Sequence, residues 1–167
     1  MEKGQVMKAR RIKSKNTFYN GYNFRSRLEA RWAIWFDCME IKYGYEIEGY
    51  DLDGKAYLPD FWLPDLNIWI EIKPSDPNPK EVEKAVMLEE KTGYPVIFFV
   101  GDVWPSGFYR VYFIKENRSY KQEFYDYWDD SLPTFQEARA FQRARSARFE
   151  FGETPSCQTS FEFIDAS

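Results

Sequence analysis

Apolar and polar positions along this 167-residue chain change their period several times, and each change marks an element. Residues 1 to about 17 carry no hydrophobic period and read as a basic arm. At Ser26 a Ser-x-x-Glu pair (Ser26, Glu29) precedes Leu28, Trp32, Trp35 and Met39 at helical spacing, which predicts an amphipathic helix over about 26–40. Three short strand-like runs follow at 43–50, 56–63 and 67–73. Asp53-Gly54 and Pro64-Asp65-Leu66-Asn67 separate them with good turn chemistry, so an antiparallel meander is expected. Pro74, Pro77 and Pro79 end the third run and lead into a helix over about 79–92, closed by Gly93 in the C-cap position. The continuously apolar run 94–100 has the pattern of a strand buried on both faces. Residues 108–114 alternate as a further strand, Thr134-x-x-Glu137 opens a second capped helix to about 148, and residues 120–130 fit no element. Residues 151–167 read as a flexible tail. The order helix, three strands, helix, strand predicts an α/β fold with a central mixed β-sheet flanked by helices, in a single domain over 18–150 whose core occupies about 20–102.

Composition narrows the chemistry. The chain contains no histidine, which removes Ser-His-Asp and Cys-His nucleophile systems and histidine-ligated metals. Its two cysteines, Cys38 and Cys157, are far apart in sequence and are read as free thiols, too few for a zinc site. Carboxylates, lysine, arginine and tyrosine remain, an inventory that suits a hard, oxygen-bound cation. Nothing in it asks for an organic cofactor. No apolar run is long enough to cross a bilayer and no apolar leader follows the first residues, so a cytoplasmic protein without a membrane partner is expected.

Net charge is −4, which alone argues against a general nucleic-acid binder. Its distribution changes that picture. Residues 1–31 hold nine basic and two acidic side chains, +7, leaving −11 for the rest. Such asymmetry makes either a polyanion-facing patch on an acidic protein or a solvated tail. The arginines Arg139, Arg143, Arg145 and Arg148 form no single helical stripe and are read as phosphate contacts or solvated helix decoration.

The third strand carries the reactive groups. Ile68, Ile70 and Ile72 point to one face, and Asn67, Trp69, Glu71 and Lys73 to the other. A hairpin centred between Asp65 and Leu66 sets Asp60 opposite Glu71 and Trp62 opposite Trp69. Two carboxylates would then lie about 5 Å apart at Cβ, unfavourable unless a positive charge sits between them. A divalent cation fits that place, with Asp60, Glu71 and the backbone carbonyl of Ile72 as oxygen donors and water completing the shell. Lys73 reaches the same pocket and would orient a water or take its proton. A surface salt bridge with Lys73 is the structural alternative. Trp62 and Trp69 are read as packing groups ahead of base-stacking ones.

Pro59-Asp60, ten intervening residues and Glu71-Ile72-Lys73 resemble the PD-(D/E)xK nuclease superfamily, also called restriction-endonuclease-like. Its core order of helix, three strands, helix and strand is the order read above. The resemblance implies a divalent-metal-dependent nuclease hydrolysing DNA phosphodiester bonds with Mg²⁺ or Mn²⁺. Asp60 and Glu71 would be metal ligands and Lys73 the catalytic lysine. Glu29 would be an added carboxylate reaching the metal directly or through water, although a helix-capping role with Ser26 or Arg25 also accounts for it. Lys13, Lys15, Arg25 and Arg27 would hold phosphates near the first helix, and Lys80 and Lys84 near the second. Cutting both strands of a duplex would call for two sites, hence a homodimer. A non-catalytic nucleic-acid-binding or protein-binding chain of the same fold is the rival expectation.

Overall fold

The computed structural model describes residues 14–103, 110–115, 118–122 and 135–150. Most of the basic arm, with Lys13, and the Thr134 cap, Cys157 and the tail lie outside them. β1 (Thr17–Tyr19) and β2 (Tyr22–Phe24) form a hairpin turned by Asn20 and Gly21, both at positive φ. α1 (Arg27–Cys38) follows. Ser26 is its N-cap, extended at φ −143°, and its hydroxyl accepts the Glu29 N–H at 3.1 Å, as the Ser-x-x-Glu spacing requires. After α1 come β3 (Gly44–Tyr45), β4 (Tyr50–Leu52), β5 (Lys55–Tyr57), β6 (Phe61–Leu63) and β7 (Ile68–Lys73). α2 (Pro79–Thr92) starts with a reciprocal capping box between Asn78 and Glu81 and stops at Gly93, left-handed at φ 76°. The chain continues through β8 (Val96–Val100), β9 (Arg110–Lys115), β10 (Arg118–Gln122) and α3 (Phe135–Ser146).

The fold is mixed α/β. Six strands form the central sheet in the order β10-β9-β8-β7-β6-β3. The β7/β8 pair is parallel and the other neighbours antiparallel. The parallel pair needs a crossover, and α2 supplies it. One face of the sheet, carrying Ile68, Ile70, Ile72, Ile97 and Phe99, packs with Trp32, Trp35 and Phe36 of α1 and Phe141 of α3. The other face, with Trp69, Val96, Phe98 and Val100, packs on Ala85 and Leu88 of α2. These two cores explain why all of β8 is buried. Each fully buried large apolar side chain contributes roughly 1.5–3 kcal/mol, so the aromatic-rich α1 side anchors the site-bearing strands. α1 itself is buried more completely than an amphipathic helix on a sheet would be. α3 covers its second side, with the Trp35 and Phe141 rings 5.4 Å apart.

Two expected strands are divided. The run 43–50 contributes only β3 to the central sheet, because Glu46 turns the chain at a φ of 46°. The run 56–63 splits around the buried Pro59, which has no N–H for a ladder. Its first part pairs with β4 as a separate two-stranded sheet. Asp53 and Gly54 do form a tight turn, at φ 51° and 80°, but it closes this inserted hairpin and not the central meander. Cys38 is disulfide-bonded, which corrects its reading as a free thiol. None of the described helices is long and apolar enough to cross a membrane.

Candidate active site

The register of β6 on β7 pairs Phe61 with Ile70, Trp62 with Trp69 and Leu63 with Ile68. One further step along that register brings Asp60 opposite Glu71. Two hydrogen bonds lock this end of the pair. Asp60 Oδ2 accepts the Ile72 N–H at 2.7 Å, and Glu71 Oε1 accepts the Asp60 N–H at 3.3 Å. Within an extended strand the N–H and C=O of one residue project to the same edge, so the Ile72 carbonyl opens on the side of Asp60 as well. The Lys73 carbonyl points to the opposite edge, where it accepts the Gly101 N–H at 2.8 Å.

Glu71 is buried and Asp60 half-buried. Burial, followed by repulsion from Glu71 and Glu29, pushes the Asp60 carboxyl well above the usual carboxylate range. Burial also raises Glu71, against the opposing pull of Lys73 and a Tyr57 hydrogen bond. Lys73 Nζ lies 3.4 Å from Glu71 Oε2 and 3.2 Å from Glu81 Oε1. Burial works to lower its pKa, but Glu71, Asp60 and Glu81 together outweigh burial and raise it. The second oxygen of Glu81 accepts the Asn78 N–H at 2.8 Å, so the cap of α2 also aims a carboxylate at Lys73.

These groups share a cleft of about 730 Å³, whose lining includes Asp60, Glu71 and Lys73 from the sheet, Tyr50 and Tyr57 from the inserted hairpin, Arg25, and Lys84 from α2. Glu29 is buried at the start of α1. Its Oε1 accepts from the Ser26 hydroxyl at 2.7 Å, and its Oε2 from the Tyr45 hydroxyl at 2.6 Å and the Arg25 N–H at 3.2 Å. Among the described residues no three or more His, Cys, Asp or Glu side chains gather as a metal-ligand cluster. These contacts with Ser26 and Arg25 are those of a helix-capping residue, and Glu29 acts on Asp60 through its charge.

The basic residues named from sequence are dispersed. Arg25 lines the cleft while its Nε pairs with Glu46 Oε1 at 2.6 Å. Lys84 lines it as well, from α2, with exposed Lys80 one helical turn before it. Arg27 pairs with Glu150, which Lys15 and Arg148 also influence, and neither Lys15 nor Arg27 lines the cleft. Arg145 lies 3.8 Å from Asp102, which Arg31 of α1 also approaches at 3.6 Å. Arg139 sits 5.4 Å from the Phe135 ring centroid. Trp69 is buried against Trp62, with ring centroids 4.5 Å apart, in keeping with packing.

Two residues of the site escaped sequence reasoning. Glu81 had a signal, since Asn78-x-x-Glu81 is itself a capping-box pattern at the end of the active strand. Tyr57 had none, because only the placement of the inserted hairpin brings it to the cleft.

The donor set suits a hard divalent cation: two close carboxylates that repel each other, a main-chain carbonyl beside them and space for water. Comparison with family models, with curated proteins and with solved structures found no match to the chain.

Proposed function

We propose that the chain is a divalent-metal-dependent nuclease of the PD-(D/E)xK type that hydrolyses DNA phosphodiester bonds. One observation carries the reading. Asp60 and Glu71 face each other across two paired strands with Lys73 beside them, and the register that brings them together is locked by hydrogen bonds to Asp60 and Glu71. Structural ion pairs seldom gather buried like charges, because each carboxylate raises the cost of ionising the other.

Asp60, Glu71 and the Ile72 carbonyl would hold Mg²⁺ or Mn²⁺. When bound, such an ion acidifies water and polarises a phosphoryl oxygen. Lys73, its pKa raised by its carboxylate neighbours, brings a protonated Nζ to the cleft. Its part is to donate a hydrogen bond and a positive charge to the water or the phosphate, orienting one against the other. Taking the water proton instead would require those carboxylates to be neutralised first. Glu81 holds Lys73 from the helix side. Arg25 and Lys84 supply positive charge on the cleft walls for the phosphates that flank the scissile bond. A cytoplasmic setting completes the reading, with a homodimer where both strands of a duplex are to be cut.

The double ion pair of Lys73 with Glu71 and Glu81 favours a second reading, a nucleic-acid-binding or protein-binding chain in which lysine, not a metal, neutralises the carboxylates. Incubating plasmid with the protein in Mg²⁺, in Mn²⁺ and in EDTA separates the two. Metal-dependent nicking or linearisation, lost in Asp60→Ala and Lys73→Ala, is expected; equal products from wild type and both variants would refute the nuclease reading at this site.

A further inference from the structure

We propose that Glu46 is a positioning residue of this site, holding the Arg25 guanidinium where it meets a phosphate of the DNA strand bound at Asp60. The inference rests on the reading of the cleft as a nuclease site in which Arg25 contacts phosphate. A long arginine side chain with no partner on a cleft wall loses part of its binding energy in being ordered. Arg25 is held at both ends. Its N–H donates to the Tyr45 hydroxyl at 3.0 Å and to Glu29 Oε2 at 3.2 Å, and its Nε lies 2.6 Å from Glu46 Oε1. Tyr45 and Glu46 are consecutive, so one short segment fixes both the backbone of Arg25 and the far end of its side chain. The contact is made at Nε, which leaves the edge formed by the two terminal nitrogens, a pair of parallel donors that matches a phosphate. The Glu46 side chain is 19% exposed and that of Arg25 63%, so the carboxylate is the anchored partner and the guanidinium the presented one.

Glu46 is tied in turn to Asp60. One step beyond the Tyr45–Phe61 pair of β3 and β6, Glu46 falls opposite Asp60, and its N–H donates to the Asp60 carbonyl at 2.9 Å. The chain leaves the sheet there at a φ of 46°, a left-handed conformation that a residue other than glycine keeps only where the surrounding contacts over-determine it. Packing tightens the same turn, since a Cβ on Gly44 would collide with Ile47 Cγ2. Glu46 thus spaces a phosphate contact from a proposed metal ligand through one main-chain hydrogen bond and one ion pair.

Charge alone predicts the reverse of what positioning predicts. A carboxylate beside a cleft that receives a polyanion repels it, so deleting the Glu46 charge should tighten DNA binding if the carboxylate does nothing for Arg25. If it orients Arg25, the same deletion weakens binding. The sign of the effect therefore decides between the two.

Affinity for fluorescein-labelled DNA, duplex and single-stranded, would be measured by anisotropy in Ca²⁺, and the form that wild type binds more tightly followed. Glu46→Ala should bind it at least about twofold more weakly, the lower end of coupling between residues of one ion-pair network. Glu46→Gln, whose amide oxygen still faces Nε, should fall between that variant and wild type. In an Arg25→Ala background, Glu46→Ala should weaken binding no further. Glu48→Ala, which removes an equal charge from an exposed residue bonded to the Tyr50 hydroxyl, should not weaken binding. The Mn²⁺ midpoint for plasmid cleavage at saturating DNA should be the same in Glu46→Ala as in wild type, because the bond to Asp60 uses the main chain; a disturbed fold would move it. Equal or tighter binding by Glu46→Ala, or a loss as large without Arg25 as with it, would overturn the inference. So would a like loss in Glu48→Ala or a shifted Mn²⁺ midpoint, and in each case wild-type cleavage would leave the nuclease reading intact. Wild type that neither binds nor cleaves DNA would overturn both.

Discussion

Asp60→Asn tests the site without any knowledge of the substrate. The substitution keeps the shape, and its amide oxygen can still accept the Ile72 N–H that Asp60 accepts at 2.7 Å, so what it removes is the charge. In metal-free protein that charge is unfavourable, being desolvated and repelled by Glu71 and Glu29, with Lys73 only partly compensating. Like charges opposed across a strand pair cost up to about 1 kcal/mol. In a domain of this size each kcal/mol is worth about 2–4 °C, so Asp60→Asn in EDTA at neutral pH should melt about 2–4 °C above wild type. The pH dependence follows from the direction of the shift. A carboxyl whose folded pKa is raised binds more protons in the folded state, so its favourable contribution is complete below the unfolded pKa of about 3.9 and is lost as pH rises through the folded value. The advantage of Asp60→Asn should accordingly shrink as the pH is lowered toward 4. Metal should reverse the ranking. A ligand at about a hundred times its dissociation constant stabilises the native state by roughly 2.7 kcal/mol, which for wild type is about 5–11 °C; Asp60→Asn, missing a ligand, should gain little. Differential scanning calorimetry in EDTA and in excess Mn²⁺, at pH 7 and pH 4, checks each part. A lower Tm for Asp60→Asn in EDTA, together with wild-type curves indifferent to Mn²⁺, would refute the reasoning and leave a Lys73 salt bridge.

Lys73→Ala should lose most plasmid cleavage yet keep a metal-induced rise in Tm, and Ca²⁺ should support DNA binding with little turnover because its looser shell orients water poorly; gel assays and calorimetry on one preparation read both. Lys84→Ala should flatten the dependence of log DNA affinity on log salt by about 0.9 for one lost phosphate contact, measured by fluorescence anisotropy in Ca²⁺, whereas Lys15→Ala, away from the cleft, should leave the slope nearer wild type. Ser26→Ala removes the N-cap of α1 and a donor to Glu29, so thermal melts should show a loss of about 1 kcal/mol while the Mn²⁺ response is retained.

Local rules made much of this protein legible. The caps of α1 and α2 follow from residues within one turn of each other, Ser26 with Glu29 and Gly93 after Thr92, because capping is satisfied by the nearest backbone groups. The two-sided character of β7 and its register on β6 follow from a two-residue side-chain period and one turn centre, which sufficed to place Asp60 against Glu71. Sheet membership was not local. Tyr50–Leu52 and Lys55–Tyr57 carry an ordinary strand pattern, and only their packing on α2 decides that they stand apart from the central sheet and deliver Tyr57 to the cleft. The same holds for the basic residues, since Arg27 and Lys84 have like charges but pair with Glu150 in one case and line the cleft in the other. Periodicity assigns a side chain to a face of its own element; which faces meet is set by the burial of two separate cores, and that depends on contacts between residues far apart in the chain.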